Sequence, residues 1–193
     1  MTGRRRLAIA VLVALSFGVV MAVLKGQGTG ARDALGNLSA PWLLVAFIGG
    51  ACSRRARWAP LGGLAATIAA LAGFYAAESR LLDLGPHSWL IDLQLTFQAG
   101  RVYLLTALLS GPIFGALGGL WAKRRSALAS GVIAAMFVCE PLVVWLYQRD
   151  RTDVGAAGQL TQYPWMWTGE IVAGAACWLV IARAMQASHP SQG

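Results

Sequence analysis

RRRLAIAVLVALSFGVVMAVLK, residues Arg4–Lys25, decides the fold class. Between Leu7 and Leu24 there is no charge, and Ser16 is the only hydroxyl. A helix crossing the hydrocarbon core of a bilayer needs about 20 apolar residues, and this stretch supplies nearly that many. Three arginines before an apolar run also resemble a secretory signal. The run is longer than the roughly 7–15 apolar residues of a signal, however, and no A-x-A-like site follows it, so a retained first span is expected.

Outward from this stretch the same pattern recurs. Apolar segments cover about 7–24, 37–52, 60–77, 102–122, 127–147 and 164–185, and together they use up residues 1–193 as one polytopic domain. The second segment opens at Pro41-Trp42 and closes at Ser53-Arg54-Arg55. It is the shortest, which places its start inside the 34–38 stretch or in a thinner part of the membrane. Only 12% of the residues are charged and 57% are hydrophobic, with a mean hydropathy of +0.59. Soluble domains carry about 25% charged residues. The expected fold is therefore an all-α integral membrane protein of six transmembrane helices, embedded in a lipid bilayer.

The basic residues fall into short clusters between apolar segments. Sorted by alternate loops, Arg4–Arg6, Arg54, Arg55, Arg57, Lys123–Arg125 and Arg183 lie on one side with no acidic residue. The other side mixes Lys25, Arg32, Arg80, Arg101, Arg149 and Arg151 with Asp33, Glu78, Asp83, Asp92, Asp150 and Asp153. The positive-inside rule puts the first set, and with it both termini, in the cytoplasm of a multi-pass protein of the cell membrane. Clusters of this kind are topology determinants. The formal net charge of +8 is thus no sign of a nucleic-acid partner, which would need one continuous basic face.

The interval 79–100 is too polar to span and too apolar to float free. It holds His87, Trp89 and Asp92, and Leu93, Leu95 and Phe97 alternate with polar residues. An interfacial or re-entrant segment between the third and fourth spans is expected. Small residues recur at four-residue spacing in Ala10/Ala14/Gly18 and in Gly111/Gly115/Gly119. Such faces let helix backbones approach closely in lipid. They suit packing inside the bundle, or, for Ala10, Ala14 and Gly18, a face for a partner helix. Pro112 and Pro141 fall inside the fourth and fifth spans and free a carbonyl in each.

The residues that stand out for function are Glu140 and Glu170. An ionisable group inside the bilayer is costly, by about 3 kcal/mol on insertion scales, and persists where it faces a cavity, a partner or the bundle interior. Both lie on the order of 10 Å below the outer surface at 1.5 Å per residue. They come from consecutive antiparallel spans, so one cavity can contain both. With no cation between them, the pair would hold one proton or accept a positively charged solute. Arg101, Tyr103, Trp167 and Asn37 lie on the same side and are the secondary ligand-binding candidates. Asn37 and Ser39 also suit the cap of the second helix, and the aromatic residues suit an interfacial belt.

Catalysis is not expected. The two histidines, His87 and His189, lie outside the spans, and no HExxH, Walker A or GxGxxG motif occurs. Cys52, Cys139 and Cys177 lie in apolar segments without metal-ligand spacing, so neither a metal nor another cofactor is expected.

The stretch ALGNLSAPWLLVAF (34–47), the loop Ser53-Arg54-Arg55 and the segment Cys139-Glu140-Pro141-Leu142 resemble a family of small bacterial membrane proteins of unknown function. The architecture also resembles the S-components of energy-coupling-factor vitamin transporters. Those are six-helix proteins with both termini inside that dock on a membrane coupling subunit through an Ala-x-x-x-Ala face of the first helix. Ala10/Ala14 match that face. The resemblance implies a subunit that binds a polar or cationic small solute from outside. The other function class is a non-transporting scaffold that packs on partners through its small-residue faces.

Overall fold

The computed structural model describes residues 3–26, 30–36, 38–53, 55–81, 88–124, 127–148 and 163–186, and among these it is helical with no strand. The helices are α1 Gly3–Lys25, α2 Ala31–Gly36, α3 Ala40–Ala51, α4 Ala59–Leu81, α5 Trp89–Ala99, α6 Arg101–Arg124, α7 Ala127–Gln148 and α8 Pro164–Gln186. A 3-10 turn, Ala56–Trp58, leads into α4. Among the described residues, four stretches are long and apolar enough to cross a membrane: Arg5–Lys25, Ala31–Ala51, Ala56–Leu81 and Arg101–Lys123. A shorter apolar stretch, Gly131–Val143, lies in α7.

The second apolar stretch differs from expectation. It is two helices, α2 and α3, with a break at 38–39 rather than one helix over 37–52. The turn before it follows from local chemistry. Helix α1 ends at Gly26, whose φ of 65° is the left-handed conformation that glycine takes at helix ends. Arg32 of α2 folds back, and its guanidinium donates to the carbonyls of Val23 and Leu24 at 2.8 and 3.0 Å. That satisfies acceptors that the end of α1 leaves unpaired.

The 79–100 interval also resolves. Residues 79–81 continue α4, residues 82–87 with His87 lie outside the described residues, and 89–99 form α5. The Trp89 indole N–H donates to Ser79 Oγ (3.0 Å), and the Tyr75 hydroxyl donates to the Gly100 carbonyl (3.1 Å). These bonds fasten the two ends of α5 to the last part of α4. At about 16 Å, α5 is also too short to traverse a core of about 30 Å.

Helix contacts are graded along the bundle. At the Arg55 end, backbones meet directly: a Cβ on Gly50 would collide with the Gly115 carbonyl, and one on Gly63 with the backbone of Gly111 and Gly115. This fastens α3, α4 and α6 together, and Gly111/Gly115/Gly119 is the face involved. At the Lys25 end the spacers are large. Rings run Phe17–Trp42–Phe74–Tyr75–Phe97 with centroids 5.4, 5.5, 5.6 and 4.9 Å apart, linking α1, α3, α4 and α5.

The face Ala10/Ala14/Gly18 is turned inward. Ala14 is buried in a cluster with Ala66 and Ala70 of α4, and a Cβ on Gly18 would strike the Ala70 carbonyl. The expected partner-helix face is therefore occupied within the chain, and the Ala-x-x-x-Ala match to the S-components loses its exposed surface. The reason is physical. Small residues exclude nothing, so whichever backbone can come closest takes the face, and α4 offers Ala66, Ala70 and Gly73 in register.

Helices α7 and α8 form an antiparallel hairpin, with Gly131 against Trp178 and Gly174 against Phe137. Ala129, Ile133 and Phe137 seat it against Phe47 of α3 and Phe114 of α6. Met166 packs with Ala34 and Leu38. Both α6 and α7 run through their internal prolines, Pro112 and Pro141.

These contacts separate two glycine substitutions. Gly115→Leu should lower the melting temperature in detergent sharply or abolish a monodisperse peak, because the backbone of Gly63 stands where its side chain would go. Gly169→Ala faces open space and should raise stability by up to about 1 kcal/mol through helix propensity alone. Equal effects of the two on the melting curve would refute this packing.

Candidate functional site

The gradient in residue size leaves a cavity. Fastened at the Arg55 end and held apart by rings at the other, α3, α4 and α6 diverge around a space of about 690 Å³, closed further by α1 and α5. Its walls are largely apolar, with Trp42, Leu43, Leu71, Phe74 and Leu95 among them. That volume falls within the range of small-molecule sites, about 300–1,000 Å³.

Its charged feature is the ion pair of Lys25 with Glu78, at 2.7 Å. Lys25 is the last residue of α1 and Glu78 lies in the last turn of α4, so the close packing of α1 on α4 brings them together. The Lys25 ammonium also stands 5.4 Å from the centroid of the Phe74 ring, a favourable cation–π position. Both side chains are mostly buried, 23% and 11% exposed, so solvent screens the pair little. Two cavity hydroxyls donate within their own helices, Thr67 to the Gly63 carbonyl at 2.9 Å and Thr96 to the Asp92 carbonyl at 2.7 Å, and that of Tyr75 donates to the Gly100 carbonyl. What remains for a ligand is the further N–H capacity of Lys25, the second Glu78 oxygen and hydroxyl lone pairs. Such a site suits a head group that both donates and accepts hydrogen bonds, attached to an apolar body.

The two glutamates lie beyond the cavity wall. Glu140 of α7 accepts hydrogen bonds from the backbone N–H of Ser39 (2.5 Å) and of Ala40 (2.7 Å). It is the N-terminal cap of α3, supplied from a helix about a hundred residues away. The first N–H groups of a helix have no partner within it. Here Pro41 has no N–H, and those of Trp42 and Leu43 go to the Ser39 carbonyl. The Ser39 side chain makes no cap hydrogen bond, so the expected Ser39 cap is replaced by Glu140. A carboxylate is the stronger acceptor and opposes the positive end of the helix dipole.

Glu170 faces Glu140 across the hairpin, as the Gly131–Trp178 and Phe137–Gly174 register requires, and lies within hydrogen-bonding reach of it. Glu170 is 5% exposed, and neither of its oxygens meets a donor among the described residues. The two glutamates are neighbours, but neither lines the cavity as the sequence led one to expect; they lie on the far side of the α2–α3 break from it.

The remaining candidates divide. Tyr103 lines the cavity. Arg101 is exposed at the start of α6. Trp167 packs against the Ala34, Leu38 and Met166 cluster. Asn37 lies outside the described residues. Lys25, Glu78 and Trp42 were not singled out as site residues. The signal available for the pair was an opposite charge at the same-side ends of two spans rich in small residues.

A family model described as a family of unknown function (DUF6518) matches residues 1–189, and the chain belongs to that family. No curated protein and no solved structure matches significantly.

The cap makes a sharp contrast. Glu140→Ala leaves two N–H groups without an acceptor and should lower stability by about 2 kcal/mol or more. Ser39→Ala should change the melting temperature little. A melting scan of both in detergent decides it, and a larger loss at Ser39 would refute the assignment.

Proposed function

From that family, which brings no activity with it, we propose a six-span membrane protein with both termini on the cytoplasmic side. It binds an amphipathic small solute in the cavity between α1 and α3–α6, with the solute's polar head at Lys25–Glu78. The observation that carries this reading is the cavity itself: about 690 Å³ of mainly apolar space with one ion pair among its walls. The cavity opens to its surroundings past Val102 and Tyr103 of α6, so a molecule from outside the bundle can enter it. The orientation rests on the charge asymmetry of the loops, and it makes the Lys25 end the outer one. Binding from outside followed by transport is the use to which such a site is best suited.

The scaffold reading has less support. It needs small-residue faces available to partners, and both such faces are engaged inside the chain. Catalysis remains unsupported by any nucleophile–base arrangement among the described residues.

Purification in mild detergent followed by native mass spectrometry tests the binding reading. The wild-type protein should retain a small molecule that fits the cavity. Leu71→Trp, which fills the space, should lose it, and Lys25→Met should retain less, with both variants still folded by thermal melting. The same small-molecule complement in wild type and Leu71→Trp would remove the cavity as a binding site.

The topology has its own test. A reporter active only in the cytoplasm should work when fused to either terminus, and one active only outside should work when inserted between residues 82 and 87. Reversed activities would invert the orientation.

A further inference from the structure

The Glu140–Glu170 pair lies outside the cavity but shares a wall with it. Ser39 lines the cavity, and its N–H donates to Glu140 on the other side. Leu38 likewise lines the cavity and packs against Met166 of α8. The α2–α3 break is therefore a partition with a ligand site on one face and two carboxyl groups on the other.

Those carboxyl groups need something between them. An ionised carboxyl group only accepts hydrogen bonds. Glu140 is already engaged by two N–H groups from the positive end of α3. Glu170 adjoins it, buried, with no donor to either oxygen among the described residues. Among the described residues, cations elsewhere at this end are engaged: Lys25 with Glu78, Arg32 with the Val23 and Leu24 carbonyls, and Arg80 over the Trp89 ring at 4.7 Å. Arg101 is exposed, and Cys139, the titratable neighbour on α7, is exposed as well. Among the described residues no lysine or arginine forms an ion pair with either glutamate.

We propose that Glu140 and Glu170 bind one monovalent positive charge between them, a proton or an alkali cation, and that its release loosens the α2–α3 wall of the cavity. With the charge bound, Glu170 stays buried and α8 holds Leu38 through Met166. Without it, two adjacent carboxylates repel. Glu140 is retained by the α3 N–H groups, so Glu170 is the group that moves away, and the first turns of α8 move with it. Charge binding and solute binding are then linked through Leu38 and Ser39, and each favours the other. This coupling rests on the binding reading of the cavity, whereas the charge site itself does not.

The experiment uses full-length protein in detergent, with Cys52, Cys139 and Cys177 replaced by serine. Infrared difference spectra between acidic and alkaline buffer should show a carboxylic-acid carbonyl band that Glu170→Gln removes. In a Leu38→Cys variant, thiol labelling should become several-fold faster when protons and alkali ions are withdrawn. In Leu38→Cys with Glu170→Gln the rate at matched pH should not change.

An acid band identifies the charge as a proton. Labelling that slows on adding sodium or potassium chloride at constant pH, relative to choline chloride, without an acid band identifies an alkali cation. The proposal is overturned if neither the band nor a cation dependence appears, or if both persist in Glu170→Gln. Glu170→Leu serves in the same comparison if the glutamine variant does not fold. The two readings fail separately. Protein that retains a solute but shows no charge dependence at Leu38 keeps the cavity and loses this proposal. Protein with a Glu170 signal but no solute keeps the charge site and loses the cavity reading.

Discussion

Hydrocarbon supplies no hydrogen-bond partner, so a helix that breaks within a membrane must have its exposed N–H groups met by the protein. In a bilayer the break at 38–39 would impose that demand on this chain. Helix α3 is 12 residues long, about 18 Å, and falls short of a core of about 30 Å, so its N-terminus lies at depth if its other end is at the surface. The Glu140 carboxylate meets the demand, and much else follows. It fixes the rotation of α7. The hairpin register then sets α8 opposite, Glu170 comes to face Glu140, and the start of α8 is placed where Met166 meets Ala34 and Leu38.

The second organising feature is the size gradient along α3, α4 and α6. With glycine at 50, 63 and 115 the backbones touch, and dispersion between closely packed helices substitutes for the hydrophobic force that lipid does not provide. Toward the Lys25 end, Trp42, Leu71, Phe74 and Tyr75 hold the axes apart. Uniformly small residues would have closed the bundle along its length. The cavity is thus a consequence of where the glycines stop.

How much of this was legible in the sequence depends on range. The apolar runs and the four-residue spacing of small residues are local patterns, and both lead to helices and contact faces where the structure has them. The antiparallel meeting of Glu140 and Glu170 needed only adjacency of two consecutive spans. Three features were out of reach for one reason, since each depends on helices distant in sequence. Charge sorting treats Lys25 and Glu78 as two loop markers, and only the packing of α1 on α4 makes them a pair. The Ala10/Ala14/Gly18 face suits packing inside the bundle, or a partner, but nothing local names α4 as the helix it meets. The start of α3 was marked by Pro41, in keeping with the preference for proline in the first helical turn. Nothing near it in the chain says that its cap would come from residue 140.

The cap also explains why the partition between cavity and carboxylates is a mechanical element rather than a passive wall. A hydrogen bond to a charged group contributes about 1.5–3 kcal/mol, and two of them act on consecutive backbone N–H groups of α3. Each 1.4 kcal/mol is a factor of ten in an equilibrium. The cap therefore holds Ser39 and Ala40 firmly on Glu140, so in the proposed release it is Glu170 and the start of α8 that move, and Leu38 feels it through Met166. A cap made by the Ser39 hydroxyl would have satisfied the same donors from within α3 and left the helix indifferent to α7 and α8. Drawing the acceptor from α7 ties the conformation of the break to α7, and the buried carboxyl group of Glu170 brings α8 into the same arrangement.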